Sequence, residues 1–144
     1  HWFAADGAPF WSLWENVRSW WAIRHLPNVL MLHFDDLKRD LAGEMRRVAD
    51  FLDIPIDENR FPAQVEHCTF DWMRQHGETM VPLHGAIWKD GPRSFLNKGT
   101  NGRWRDVLTV NESLHYESRA RAELGPECAT WLQSGSAPAV QLAA

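Results

Sequence analysis

Cysteine is scarce. Cys68 and Cys128 are the only two in 144 residues, too few for the disulfide framework of a small secreted domain, and they point to a reducing, cytoplasmic setting. Long apolar runs are missing: none approaches the ~20 residues needed to cross a bilayer. No charged-then-apolar leader opens the chain, so no membrane association is expected. Excess positive charge is missing as well. A formal net charge of −4 argues against a nucleic-acid polymer as partner, although cations are concentrated locally in a way that suits a small anion. Metal-ligand spacing is also lacking. His67 and Cys68 are adjacent while His76 and His84 are scattered, so no metal is expected.

What is present is apolar and aromatic. Hydrophobic residues make up 44% of the chain, and nine are tryptophan, enough for the core of one domain. Phe10, Trp14, Val17 and Trp21 recur at helical spacing, widened by Trp11 and Trp20 and ended by Pro27. Such an aromatic stripe suits plain core packing. Asn28 to Phe34 is a continuous apolar run, the pattern of a strand buried on both faces of a parallel sheet. Leu37, Leu41, Met45, Val48 and Leu52 then predict an amphipathic helix that Asp36 or Asp40 can cap. Ile56, Phe61 and Val65 suggest a shorter helix over 57–67. Residues 77–94, rich in Gly and Pro, read as a long loop. A helix follows from Leu114 to Leu124 and stops at Gly125-Pro126. Residues 134–144 read as a disordered tail.

The stretch Phe95-Leu96-Asn97-Lys98-Gly99-Thr100-Asn101-Gly102-Arg103-Trp104-Arg105 stands out. Its glycines let backbone amides turn toward one point, and such a nest binds anions. Lys98, Arg103 and Arg105 add positive charge, so phosphate is the natural guest. The same composition also suits an ordinary solvated turn. Thr69 is similarly double-edged: it can cap a helix or meet a base edge, with Phe70 beside it as a flat face.

Phe-x-x-Lys-Gly-x-x-Gly-x-Trp-Arg resembles the C-terminal signature of sulfotransferases that use 3′-phosphoadenosine 5′-phosphosulfate (PAPS). Two positions depart from that signature: Asn97 stands where the family has Arg, and Arg103 where it has Asp. Phe34-Asp35-Asp36-Leu37 resembles the family's Tyr-Glu-Asp-Leu, whose aromatic lies near the adenine. Glu66 to Met73 resembles its second nucleotide segment. The resemblance implies PAPS as sulfuryl donor and a small-molecule hydroxyl or amine acceptor. It implies adenine contacts from Phe34, Cys68, Thr69, Phe70 and Met73, and 3′-phosphate contacts from Asn97, Lys98 and Gly99. Arg105, Thr109 and Val110 match part of the family's dimer segment, which implies a homodimer; Leu114 occupies its final acidic position.

The implied fold class is α/β: the C-terminal portion of a P-loop-type parallel sheet fold, mostly helical with one buried strand. Residues 1–133 would form that portion and 134–144 the tail. No Gly-x-x-x-x-Gly-Lys or Lys-Ser-Gly-Thr-Thr-like loop for the 5′-phosphosulfate occurs in the 144 residues, and no His lies in a motif matching the catalytic one. The fold is therefore expected to be incomplete and this chain alone inactive. Two other readings stay open. One is a non-catalytic nucleotide-binding module. The other is a helical interaction module using its Trp-rich face, against which burial of Trp14 and Trp21 would count.

Overall fold

A computed structural model describes residues 5–7, 9–96 and 98–135. The chain divides into two compact units, one made of residues 1–39 and 103–144 and the other of residues 40–102.

In the first unit, α1 (Leu13–Ala22) packs on α8 (Val110–Ser134). Ser12 starts α1. Its hydroxyl oxygen accepts from the Glu15 amide at 3.0 Å and donates to Asp6 at 2.6 Å, satisfying one of the amides a helix start leaves unpaired. The predicted stripe then faces α8. Trp14, 2% exposed, meets Tyr116 with ring centroids 5.4 Å apart and shares a core with Ala120 and Ala129. Farther along, Arg18 reaches Glu123, Arg24 reaches Glu127, and Trp21 packs on Trp131 at 5.3 Å. From Trp14–Tyr116 through Arg18–Glu123 to Trp21–Trp131 the partners ascend on both helices, so the two run in the same direction. Phe10 and Trp11, at 78% and 77% exposed, lie outside this seam.

At its start, α8 carries a complete capping box: the Thr109 hydroxyl accepts from the Glu112 amide, and the Glu112 carboxylate accepts from the Thr109 amide at 2.8 Å. Gly125-Pro126 stops the first helical stretch as the sequence suggests: Gly125, at φ 77°, is not helical, and a second stretch follows across the kink. Proline at the start of a new helical stretch lacks only a donor that would be unpaired there anyway, and the second stretch carries the buried Cys128 and Trp131.

The strand expected over Asn28 to Phe34 does not form. No strand occurs among the described residues. Residues 29–33 have no regular structure, Leu32 is 38% exposed, and Phe34 opens α2 (Phe34–Arg39) at 58% exposed. A strand exists only as part of a ladder, and no described segment offers one here. The chain is instead turned by His33. Its Nδ1 accepts from the Asp35 amide at 3.1 Å, which leaves the proton on Nε2 to be donated to the Leu132 carbonyl, also at 3.1 Å. The imidazole also meets Trp131 edge-on. Gly135, at φ 71°, closes this corner; a Cβ there would come within 2.8 Å of His33 and Asp36 side-chain atoms.

The second unit begins where the expected helix from Leu37 breaks. Asp40, at φ −145°, is the N-cap of a new helix, α3 (Leu41–Phe51), and accepts from the Gly43 amide at 2.8 Å. α3 packs on α4 (Phe61–His67), and α5 (Phe70–Gln75) follows. Residues 77–94 are more ordered than a loop reading implies: α6 (Gly77–Met80), a 3₁₀ turn at Pro82–Gly85 and α7 (Pro92–Phe95) fold on one another. Gly77 is buried, and a Cβ there would lie 3.2 Å from Pro92 and 3.3 Å from Leu96. Short helical turns of this kind escape a periodicity argument because they hold too few residues to show a period. No helix among the described residues is long and apolar enough to cross a membrane.

Candidate nucleotide site

The second unit brings together two of the three segments singled out by the sequence. α4 ends at His67, and Cys68, exposed, is its C-cap. Thr69 is the N-cap of α5: its hydroxyl accepts from the Trp72 amide at 3.2 Å and donates to the Glu66 carbonyl at 2.7 Å. A hydroxyl has one proton and two lone pairs. The Thr69 proton and one lone pair are therefore engaged, and any base edge it met would have to be a donor such as an exocyclic amine. Phe70 opens α5, and Met73 lies one turn on; both are half-buried.

The Trp72 indole lies between two imidazoles, His67 at 4.4 Å and His76 at 3.9 Å between centroids, the latter nearly parallel. His76 Nδ1 is also 2.8 Å from the Trp72 carbonyl. Sequence reasoning passed over this stack. Its signal was His-x4-Trp-x3-His, which puts one ring across a helix–helix turn and the other one helical turn away. These histidines have aromatic partners, and no group of His, Cys, Asp or Glu able to hold a metal occurs among the described residues.

The loop beyond α7 reaches this corner. Gly99 is left-handed at φ 60°, and Gly102 is left-handed at φ 77°. A Cβ placed on Gly99 would lie 2.6 Å from Phe70 Cδ2 and Cγ and 2.8 Å from Cδ1, so the Gly99 backbone lies directly on that ring. Lys98 is exposed and forms no ion pair with a described residue, and the Lys98 and Gly99 amides donate to no described backbone group. Phosphate chemistry fits this donor set: an exposed ammonium, amides with no backbone acceptor among the described residues, and a left-handed glycine.

Other predicted residues fall elsewhere. Asn97 lies outside the described residues. Phe34 belongs to the first unit, at the start of α2. Arg103 to Asp106 form a 3₁₀ turn, in which the Arg105 guanidinium stacks 4.5 Å over the Trp104 ring; that cation is held by an aromatic face.

The family model for the sulfotransferase domain matches residues 1–125. A glycolipid sulfotransferase of Mycobacterium bovis is 34% identical over 125 residues, covering 86% of this chain and 38% of that protein. Human sulfotransferase 1C2 is 27% identical, covering 83% of this chain and 41% of that protein. The chain thus spans about two fifths of the length of these relatives. Among solved structures, mouse sulfotransferase SULT7A1 complexed with PAP superposes with a TM-score of 0.74 at 16% identity, over 92% of this chain and 48% of that one. This chain belongs to the sulfotransferase domain family.

Proposed function

We propose that this chain is part of a cytoplasmic sulfotransferase that moves a sulfuryl group from PAPS to a hydroxyl or amine of a small-molecule acceptor, and that its own share is to hold the adenine and 3′-phosphate of the nucleotide. PAPS supplies the sulfuryl group when bound. In this reading Cys68, Thr69, Phe70 and Met73 line the adenine, and Asn97, Lys98 and Gly99 take the 3′-phosphate. The mouse structure bound to PAP supports the nucleotide class.

One observation carries the reading: Gly99 rests against Phe70. Segments some 30 residues apart in sequence, one suited to a base and one to an anion, therefore meet in one unit. Local capping and turn formation alone give no reason for that meeting. Burial of Trp14 against α8 works against the helical interaction module, which would need the stripe on the surface. Thr109 and Val110 fit a contact between two copies, since Val107 and Val110 stand 80% and 76% exposed beside the capped helix start.

Titration calorimetry with PAP tests the proposal. Binding should be weak and should vanish at high salt, because the contacts on this chain are mainly electrostatic. Lys98→Ala should weaken it by about tenfold, the effect of removing one charge-assisted contact. Failure to bind at millimolar PAP, or tight binding indifferent to salt, would overturn it.

A further inference from the structure

We propose that Asn101 is a deamidation site, where the chain converts its own side-chain amide to a carboxylate with water as co-reactant, and that the conversion weakens anion binding by the Lys98–Gly99 loop. The effect on binding rests on the nucleotide reading above; the modification site does not. The chemistry is intramolecular. The Gly102 amide nitrogen gives its proton to solvent and attacks Asn101 Cγ. A C–N bond forms there, the bond from Cγ to the side-chain nitrogen breaks, and ammonia leaves with a proton taken from water. Water then opens the five-membered imide at either carbonyl, leaving aspartate or isoaspartate. Nothing is oxidised or reduced: amide and water become acid and ammonia.

The attacking nitrogen is what sets Asn101 apart. Of the six asparagines in the chain, it alone precedes glycine, which has no side chain to shield its nitrogen. Asn101 is exposed and outside any helix, and the Gly102 amide donates to no described backbone group. Elsewhere the following amide is engaged. After Asn28, the Val29 amide donates to the Leu26 carbonyl at 3.0 Å, and after Asn59 the Arg60 amide donates to the Asp57 carbonyl at 3.0 Å. After Asn111, the Glu112 amide donates to the Thr109 hydroxyl at 3.3 Å. Asn16 and Val17 lie inside α1. An amide already committed to an acceptor, beside a bulkier side chain, is a poor nucleophile.

The place of the new charge gives the conversion a consequence. Phe95 to Arg105 holds Lys98, Arg103 and Arg105 and no acidic residue. Deamidation would put the first negative charge into that stretch, two residues from Gly99. Isoaspartate would also lengthen the backbone by one methylene just before Gly102, whose φ of 77° belongs to the present turn. Like charge repels a phosphate, and a longer backbone redirects the amides around it.

Ageing the full chain in mildly alkaline buffer, followed by tryptic mapping, tests the site. The peptide Gly99–Arg103 should gain the mass of an amide-to-acid change and become a substrate for an isoaspartate methyltransferase. Peptides holding Asn16, Asn28, Asn59 and Asn111 should stay unchanged. Asp6-Gly7 and Asp90-Gly91 can form isoaspartate as well, but without a change in mass, so mapping tells them apart. Asn101→Gln should abolish the conversion, because its side chain would have to close a slower six-membered ring. Conversion at Asn101 no faster than at Asn59 or Asn111 overturns the proposal. For the consequence, aged protein and Asn101→Asp should bind PAP at least about threefold more weakly than fresh protein, and Asn101→Gln should bind as fresh protein does before and after ageing. Equal PAP affinity for fresh and aged protein overturns the effect on binding. Conversion at Asn101 with no PAP binding to fresh protein overturns the nucleotide reading and leaves the modification site standing.

Discussion

Arg46 grips Glu58 with both ends of its guanidinium, Nη1 to Oε1 at 2.6 Å and Nη2 to Oε2 at 2.7 Å, and the same guanidinium lies 4.2 Å over the buried Phe61 ring. Three places in the second unit, α3, the turn after it and the start of α4, are joined through one side chain. The hydrogen bond from Arg46 holds the Glu58 carboxyl below its ordinary 4.5. A carboxylate whose folded pKa is depressed stabilises the fold above its unfolded value, and that contribution is lost as pH falls through the folded one. Thermal unfolding should thus show stability declining below about pH 4.5. Glu58→Gln should flatten the decline and lower the melting temperature at pH 7; identical profiles for the two proteins would refute this.

Among the described residues of the first unit, Trp14 is the largest fully buried side chain. Trp14→Ala should cost about 3–5 kcal/mol in urea unfolding, the range for truncating a buried aromatic. Trp11→Ala should change stability by no more than about 0.5 kcal/mol, since that ring is exposed and outside the α1–α8 seam. Comparable losses from the two would contradict the assignment of the core.

The capping box at the start of α8 gives a separate expectation. Thr109→Ala should cost about 0.5–2 kcal/mol, with reduced helical signal in circular dichroism. Hydrogen bonds from the Thr109 amide and hydroxyl hold the Glu112 carboxyl low. Its stabilising effect should be present above the ordinary carboxylate value and fade as pH falls through the depressed one. In Glu112→Gln that pH dependence should disappear.

The two cysteines should differ sharply toward a thiol reagent. Burial raises the Cys128 thiol above its ordinary value, and its side chain is among the most enclosed in the chain, whereas Cys68 is exposed. Cys68 should react with Ellman's reagent at once, and Cys128 at a rate set by unfolding, because the thiolate is the nucleophile. Rapid release of two equivalents from the native protein would count against the α8 packing.

The 144 residues contain no phosphosulfate loop and no His in a catalytic motif. The purified chain should therefore show no sulfuryl transfer from PAPS to phenol or amine acceptors in a radiolabel assay. Turnover above background would mean that another group in this chain performs the chemistry.

Much of this was legible in the residues. The stripe Trp14, Val17, Trp21 and its partner Tyr116, Ala120, Leu124 announce two helices, because burial on one face imposes a helical period on the pattern. Asp40, offered together with Asp36, and Thr69, offered as a cap or a base contact, were readable as possible helix starts from their chemistry, and each is an N-cap. The motif from Phe95 to Arg105, together with Glu66 to Met73, named the family.

Tertiary structure decided what local pattern could not. Asn28 to Phe34 reads as a strand because its composition is apolar, yet a strand is a property of a pair; without a described partner, His33 turns the chain into α2. Thr69 could cap or contact a base, and packing engaged its proton at Glu66. That the segments of Phe70 and Gly99 serve one nucleotide is implied by the resemblance, but the direct contact of Gly99 with the Phe70 ring is not contained in composition or spacing. Composition and spacing report which side chains prefer burial, a turn or a cap, because those preferences act over a few residues. Which distant residues then meet depends on how whole helices pack, and that is settled only by the shape of the folded chain.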